Sequence, residues 1–166
     1  ERLRLGRRSV RDGVAALREA GRTIGLTLTT GERLVADMDT LGRDWFSATV
    51  AEGAVRSARC LVPLASIASL VLAPGQVEPS LVPVRAARAV ASLSMRLGLP
   101  FVLRDLCRRR WAPDLVVGAT TLHGTIDRVG RDHLDLAMHE PGSARRNTAV
   151  REVRVVSLAQ IVLVSY

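Results

Sequence analysis

The residues best equipped for chemistry in this chain are arginines. Arg104, Arg108 and Trp111 recur at i, i+4 and i+7, the spacing of one helix face, with Arg109 and Arg110 beside them. Such a cluster binds phosphate by displacing counterions, and the indole offers a base a stacking surface. Arg7, Arg11, Arg18 and Arg22 line one face of an earlier stretch at i, i+4, i+11 and i+15. Arg145 and Arg146 lie in a Pro- and Gly-containing loop, which reads as an ordinary polar hairpin tip, with a flexible phosphate-touching arm as the alternative. The competing reading is a solvated helix face that keeps the protein dispersed, with Trp111 packed inward. Arginine at a helix C-terminus is also favoured by the helix dipole without any ligand.

The charge is unevenly spread. All 24 basic residues are arginine, and the net charge is +8. A GC-rich genome explains arginine over lysine but not the net charge. Residues 1–22 carry net +4 and residues 85–110 net +6, whereas residues 23–72 carry −1 and residues 115–166 +1. The positive field therefore belongs to the expected helices.

Other chemistry finds little support. His133, Asp135 and His139 would share a strand face, but the two histidines would stand about 20 Å apart, too far for one metal. No Ser-His-Asp order, Cys-His pair or phosphate-binding Gly-rich loop is present. The expectation is a protein that is not an enzyme, with no cofactor and no metal. Cys60 and Cys107 share no motif and read as apolar fillers in a reducing cytoplasm. The longest apolar run, residues 61–74, is too short to span a bilayer, so a cytoplasmic protein without a membrane partner is expected. The chain begins at Glu1 without Met, which suggests a missing N-terminal segment.

The elements that must position these residues come in two copies. Residues 34–50, LVADMDTLGRDWFSATV, align with residues 122–138, LHGTIDRVGRDHLDLAM, at an offset of 88. Gly42-Arg43-Asp44 meets Gly130-Arg131-Asp132. Downstream, Leu64-Ala65-x-Ile67 meets Leu158-Ala159-x-Ile161 at an offset of 94, which places a six-residue insertion between them. The patterns predict a helix over residues 2–21 and strands over 23–28, 33–41, 45–50, 55–62 and 67–72. Further helices are expected over 81–97 and 101–111, and further strands over 115–117, 122–129, 133–139, 150–156 and 160–164. Residues 73–80 are the best linker. The units are residues 1–72, 73–98 and 99–166.

This order resembles the Sm-like fold. The run Gly124-Thr125-Ile126-Asp127-Arg128-Val129, the turn Gly130-Arg131-Asp132 and Leu134-Asp135-Leu136 carry the resemblance. In the first copy Ala36 replaces the glycine, and Trp45-Phe46-Ser47 follows the turn. The chain is also similar to actinobacterial proteins that carry a Fis-family regulator label. The resemblance implies a mainly β, α+β architecture: two five-stranded bent barrels, each preceded by a helix, joined by an additional linker helix. It also implies RNA as a partner. The RNA-contacting Asn of the family is absent, replaced by Ser47 and Asp135, and a carboxylate there would repel phosphate.

Three readings follow. The first is a non-catalytic nucleic-acid-binding module, RNA before DNA, using the Arg-rich helix faces. The second is a scaffold that takes up a protein partner along its barrel edge strands. The third is a DNA-binding regulator, in which residues 81–97 and 101–111 form a helix-turn-helix. The repeat-matched Gly-Arg-Asp turns read as local turn stabilisers, with RNA contact as the alternative. A monomeric pseudo-dimer or a low-order homo-oligomer is expected.

Overall fold

The computed structural model describes residues 8–21, 23–52, 56–82 and 93–166. Helix α1 (Val10–Gly21) starts where Ser9 and Asp12 cap each other. The Asp12 amide donates to Ser9 Oγ, and the Ser9 amide and hydroxyl donate to Asp12 Oδ2 at 2.9 and 2.8 Å. Its buried face is Val14, Ala16 and Leu17. Residues 2–7 of the expected first helix, with Arg7 and Arg22 of its basic face, lie outside the described residues.

Strands β1 (Thr23–Leu28), β2 (Arg33–Leu41), β3 (Trp45–Glu52), β4 (Arg56–Pro63) and β5 (Ile67–Val71) follow, with a 3₁₀ turn at Leu64–Ser66. The second copy is β6 (Asp114–Val117), β7 (Thr120–Val129), β8 (His133–Met138), β9 (Glu152–Ser157) and β10 (Ile161–Ser165), with the matching 3₁₀ turn at Leu158–Gln160. Between the copies lie a short helix α2 (Val77–Leu81), a 3₁₀ turn (Leu93–Arg96) and helix α3 (Leu99–Arg108). Residues 83–92, the middle of the expected linker helix, are outside the described residues.

The expectation of two five-stranded barrels is overturned. The strands form one open, ten-stranded antiparallel sheet in the order β5-β1-β2-β3-β4-β10-β6-β7-β8-β9. The protein remains α+β. The physical reason sits in β10. Its residues Ile161, Val162, Leu163 and Val164 are buried without alternation, so both faces need cover. Placed between β4 and β6, the strand sends Val162 and Leu163 into the core of the first half, and Ile161 and Val164 into that of the second. Leu61 of β4 crosses the other way, into the second core. Ser66 ties the joint, its Oγ 2.8 Å from the carbonyls of both Pro63 and Val162.

The repeat persists in the details. β2 pairs with β1 through its first half and with β3 through its second, and β7 divides itself likewise between β6 and β8. The register shifts after Met38 in one copy and after its counterpart Ile126 in the other. Where β7 changes partner, Gly124 lies against β8. A Cβ there would meet the Ala137 carbonyl oxygen and stand 2.9 Å from its carbon. Ala36, fully buried, holds this position in the first copy.

Candidate nucleic-acid interface

Helix α3 positions the densest arginine cluster. Leu99, Leu103 and Leu106 form its buried stripe, and the helix packs on β7. Gly98 caps it without a side chain of its own, and Asp44 of the β2–β3 turn supplies the acceptor, 2.8 Å from the Leu99 amide. The C-terminal end closes in a Schellman arrangement. The Trp111 amide donates to the Leu106 carbonyl at 3.2 Å and the Arg110 amide to the Cys107 carbonyl at 3.1 Å. The position that must turn left-handed is Arg110, at φ 56°, where glycine is the usual occupant.

The stripe opposite is charged. Arg104 Nη2 donates to the Gly130 carbonyl at 3.1 Å, next to Arg131. Arg108 and Arg109 both reach Asp105, at 3.3 and 2.7 Å. The Arg110 guanidinium is 3.9 Å from Asp127 and 71% exposed. Trp111 keeps 37% of its surface and lies beside Tyr166, ring centres 5.0 Å apart. Arg59 of β4 covers the other part of Tyr166, 5.9 Å from the ring centre. Burial raises the Tyr166 hydroxyl above its ordinary value, with the Arg59 charge opposing. Tyr166 and Arg59 escaped the sequence reading because one is a chain-terminal residue and the other a lone arginine on a strand.

The two Gly-Arg-Asp turns meet at one groove. It has a volume of about 500 Å³ and is lined by Arg43, Asp44, Ser66, Pro100 and Arg131, among others. Each turn closes by the glycine amide donating three residues ahead, Gly42 to Trp45 at 2.7 Å and Gly130 to His133 at 2.8 Å. The carbonyls of Asp44 and Asp132 each accept, at 2.9 Å, the first amide of the 3₁₀ turn that follows β4 or β9. Thus each turn is tied through an aspartate carbonyl to the 3₁₀ turn of its own copy. The carboxyl of Asp132 sits 2.8 Å from His133 Nδ1, which holds it below its ordinary value. Among the described residues Arg131 has no ion-pair partner, and Arg43 approaches Asp44 only at 3.8 Å.

Other arginines prove structural. Arg11 donates to the carbonyls of Arg43 and Gly42 at 3.0 and 3.3 Å, fastening α1 to the β2–β3 turn. Arg145 grips Asp127 with two bonds of 2.6 Å, which clamps its loop to β7. Its neighbour Arg146 is exposed and, with the half-buried Arg18, has no charged partner among the described residues. Asp135 is 7% exposed and held by Arg128 Nε and Nη2 at 2.7 and 2.6 Å, so its charge is met within the sheet.

The histidines divide between separate places. His133 belongs to the β7–β8 turn. His139 packs its ring edge-on to His123, centres 5.3 Å apart, and its Nε2 lies 2.9 Å from Thr125 Oγ1. His123 Nδ1 lies 2.7 Å from Asp114. Among the described residues, no group of three or more His, Cys, Asp or Glu is placed to hold a metal ion, and no helix is long and apolar enough to cross a membrane. No protein-family profile, curated protein or solved structure matches the chain.

Proposed function

We propose that this chain is a non-catalytic nucleic-acid-binding module whose ligand is single-stranded RNA. The phosphate track is the row of arginines that runs from Arg43 and Arg131 at the groove, through Arg104, to Arg108, Arg109 and Arg110. Continuity supports the reading. Leu99 and Pro100, at the start of α3, line the groove, Arg104 touches the turn that carries Arg131, and the helix then leads to the exposed cluster. Trp111 offers the stacking surface at the far end.

The observation that carries the reading is Arg110. A charged side chain occupies a left-handed position that glycine would fill without strain. Such strain is retained where a side chain is needed for function. Arg108 and Arg109 share a single carboxylate between them, which leaves the surface positive. RNA is favoured over duplex DNA by the first turn of α3. Leu99 and Leu103 are buried, and Phe101 is the exposed residue there, so the helix presents no base-reading polar group at its N-terminal end.

Fluorescence anisotropy of a labelled RNA of about ten nucleotides and of a DNA duplex, over about 50 to 300 mM salt, tests the proposal. The expected result is RNA binding whose log affinity falls linearly with log salt, tighter than duplex binding. Absence of salt-dependent binding at about 0.15 M ionic strength would sink it.

A further inference from the structure

Two phenylalanines, two tryptophans and one tyrosine are all the aromatic residues of the chain. Trp45 and Phe46 lie in the cores at 5% and 0% exposure. The others, Phe101, Trp111 and Tyr166, gather on α3 or against its C-terminal end. Phe101 is 46% exposed and belongs to neither core. Helix propensity gives no reason for it, since phenylalanine is a weaker helix former than the leucines on either side. We propose, resting on the reading of α3 as the phosphate track, that Phe101 is a second base-stacking residue. A single strand then lies along α3 with one base on Phe101 and another on Trp111.

The helix face supplies the geometry. Phe101, Arg104, Arg108 and Trp111 stand at i, i+3, i+7 and i+10, and all four are exposed. Val102, Leu103, Leu106 and Cys107 pack toward the sheet instead. The two rings therefore bracket two arginines on one face. Arg104 is anchored by its bond to the Gly130 carbonyl at 3.1 Å. At the other end Trp111 rests against Tyr166, and Tyr166 under Arg59. At about 1.5 Å per residue the rings stand roughly 15 Å apart along the helix. At about 3.4 Å per stacked nucleotide that distance is about four steps, whose phosphates pass Arg104 and Arg108. A single strand can splay bases onto both rings, whereas a duplex keeps its bases stacked on one another.

Anisotropy titrations at about 50 mM salt, with two strands of about ten nucleotides, test this. One strand is RNA, and the other is the same backbone with abasic spacers in place of every base. Phe101→Leu keeps an apolar side chain and removes the ring, and Phe101→Tyr keeps the ring. Phe101→Leu should weaken RNA binding about tenfold, and a salt series should return the wild-type slope, since no phosphate contact is lost. Phe101→Tyr should bind RNA as the wild type does. On the abasic strand the wild type and Phe101→Leu should bind alike, because no base is left to stack. A Phe101→Leu variant that holds RNA at wild-type affinity would remove Phe101 from the site and leave the arginine track standing. An equal loss on both strands would also overturn the proposal, by making Phe101 a prop of the helix. A wild type without salt-dependent RNA binding would remove the phosphate track and the stacking site together.

Discussion

Replacing Arg110 with glycine separates stability from binding. The residue sits at φ 56°, and a left-handed conformation costs a residue with a Cβ about 1–2 kcal/mol. Glycine relieves that cost but makes the unfolded chain more flexible, which takes back about 0.4–1 kcal/mol. The ion pair lost is 3.9 Å long and exposed, and Asp127 keeps its two bonds from Arg145, so its contribution is near zero. The balance is a gain of about 0.5–1 kcal/mol, or a rise in Tm of roughly 1–4 °C for a chain of this size. Urea titration of the wild type, Arg110→Gly and Arg110→Ala measures it. The alanine variant keeps the strain and loses the charge, so only the glycine variant should be stabilised, while both bind RNA more weakly. A glycine variant less stable than the alanine variant would refute the argument that the helix end is strained.

Gly124→Ala pushes a methyl group against the Ala137 backbone, which cannot rotate away, and should lower stability by about 1–3 kcal/mol in urea; a variant as stable as wild type would show that β7 and β8 separate freely. The Asp12 carboxyl is held below its ordinary 3.8 chiefly by the Ser9 amide and then by the Ser9 hydroxyl. A lowered acid stabilises above its unfolded value and loses that contribution as pH falls through its folded one. The Tm gap between wild type and Asp12→Ala should therefore be constant above about pH 5 and narrow below 3.8; a gap that holds at the lowest pH would contradict this. Burial pushes the Cys60 thiol up to about 11, so an aromatic disulfide reagent at neutral pH should reach it only after unfolding. Rapid reaction of both cysteines in the native protein would exclude that environment.

The strands were legible because their pattern is local. Leu34, Ala36 and Met38 alternate on β2 as the sequence requires, and the two Gly-Arg-Asp turns announce the repeat. The joining of the halves was less legible, since alternation says which face is buried and not which edge is paired. A signal did exist in Ile161-Val162-Leu163-Val164, an unbroken apolar run that marks a central strand. The arginines were hardest to sort. Arg11 and Arg110 look alike in a sequence whose basic residues are all arginine, yet one fastens α1 to two carbonyls and the other faces solvent. What separates them is an acceptor more than thirty residues away, which no periodicity reports.

The salt dependence of RNA binding with Arg104, Arg108, Arg109 and Arg110 all changed to Ala tests the central claim most directly. Each phosphate contact with a single strand contributes about 0.7 to the slope of log affinity against log salt, so losing four should flatten it by about 2–3. The clamped Arg145, changed to Ala, should leave the slope as it is. A quadruple variant that binds RNA with the wild-type affinity and slope would contradict the assignment of α3 as the phosphate track.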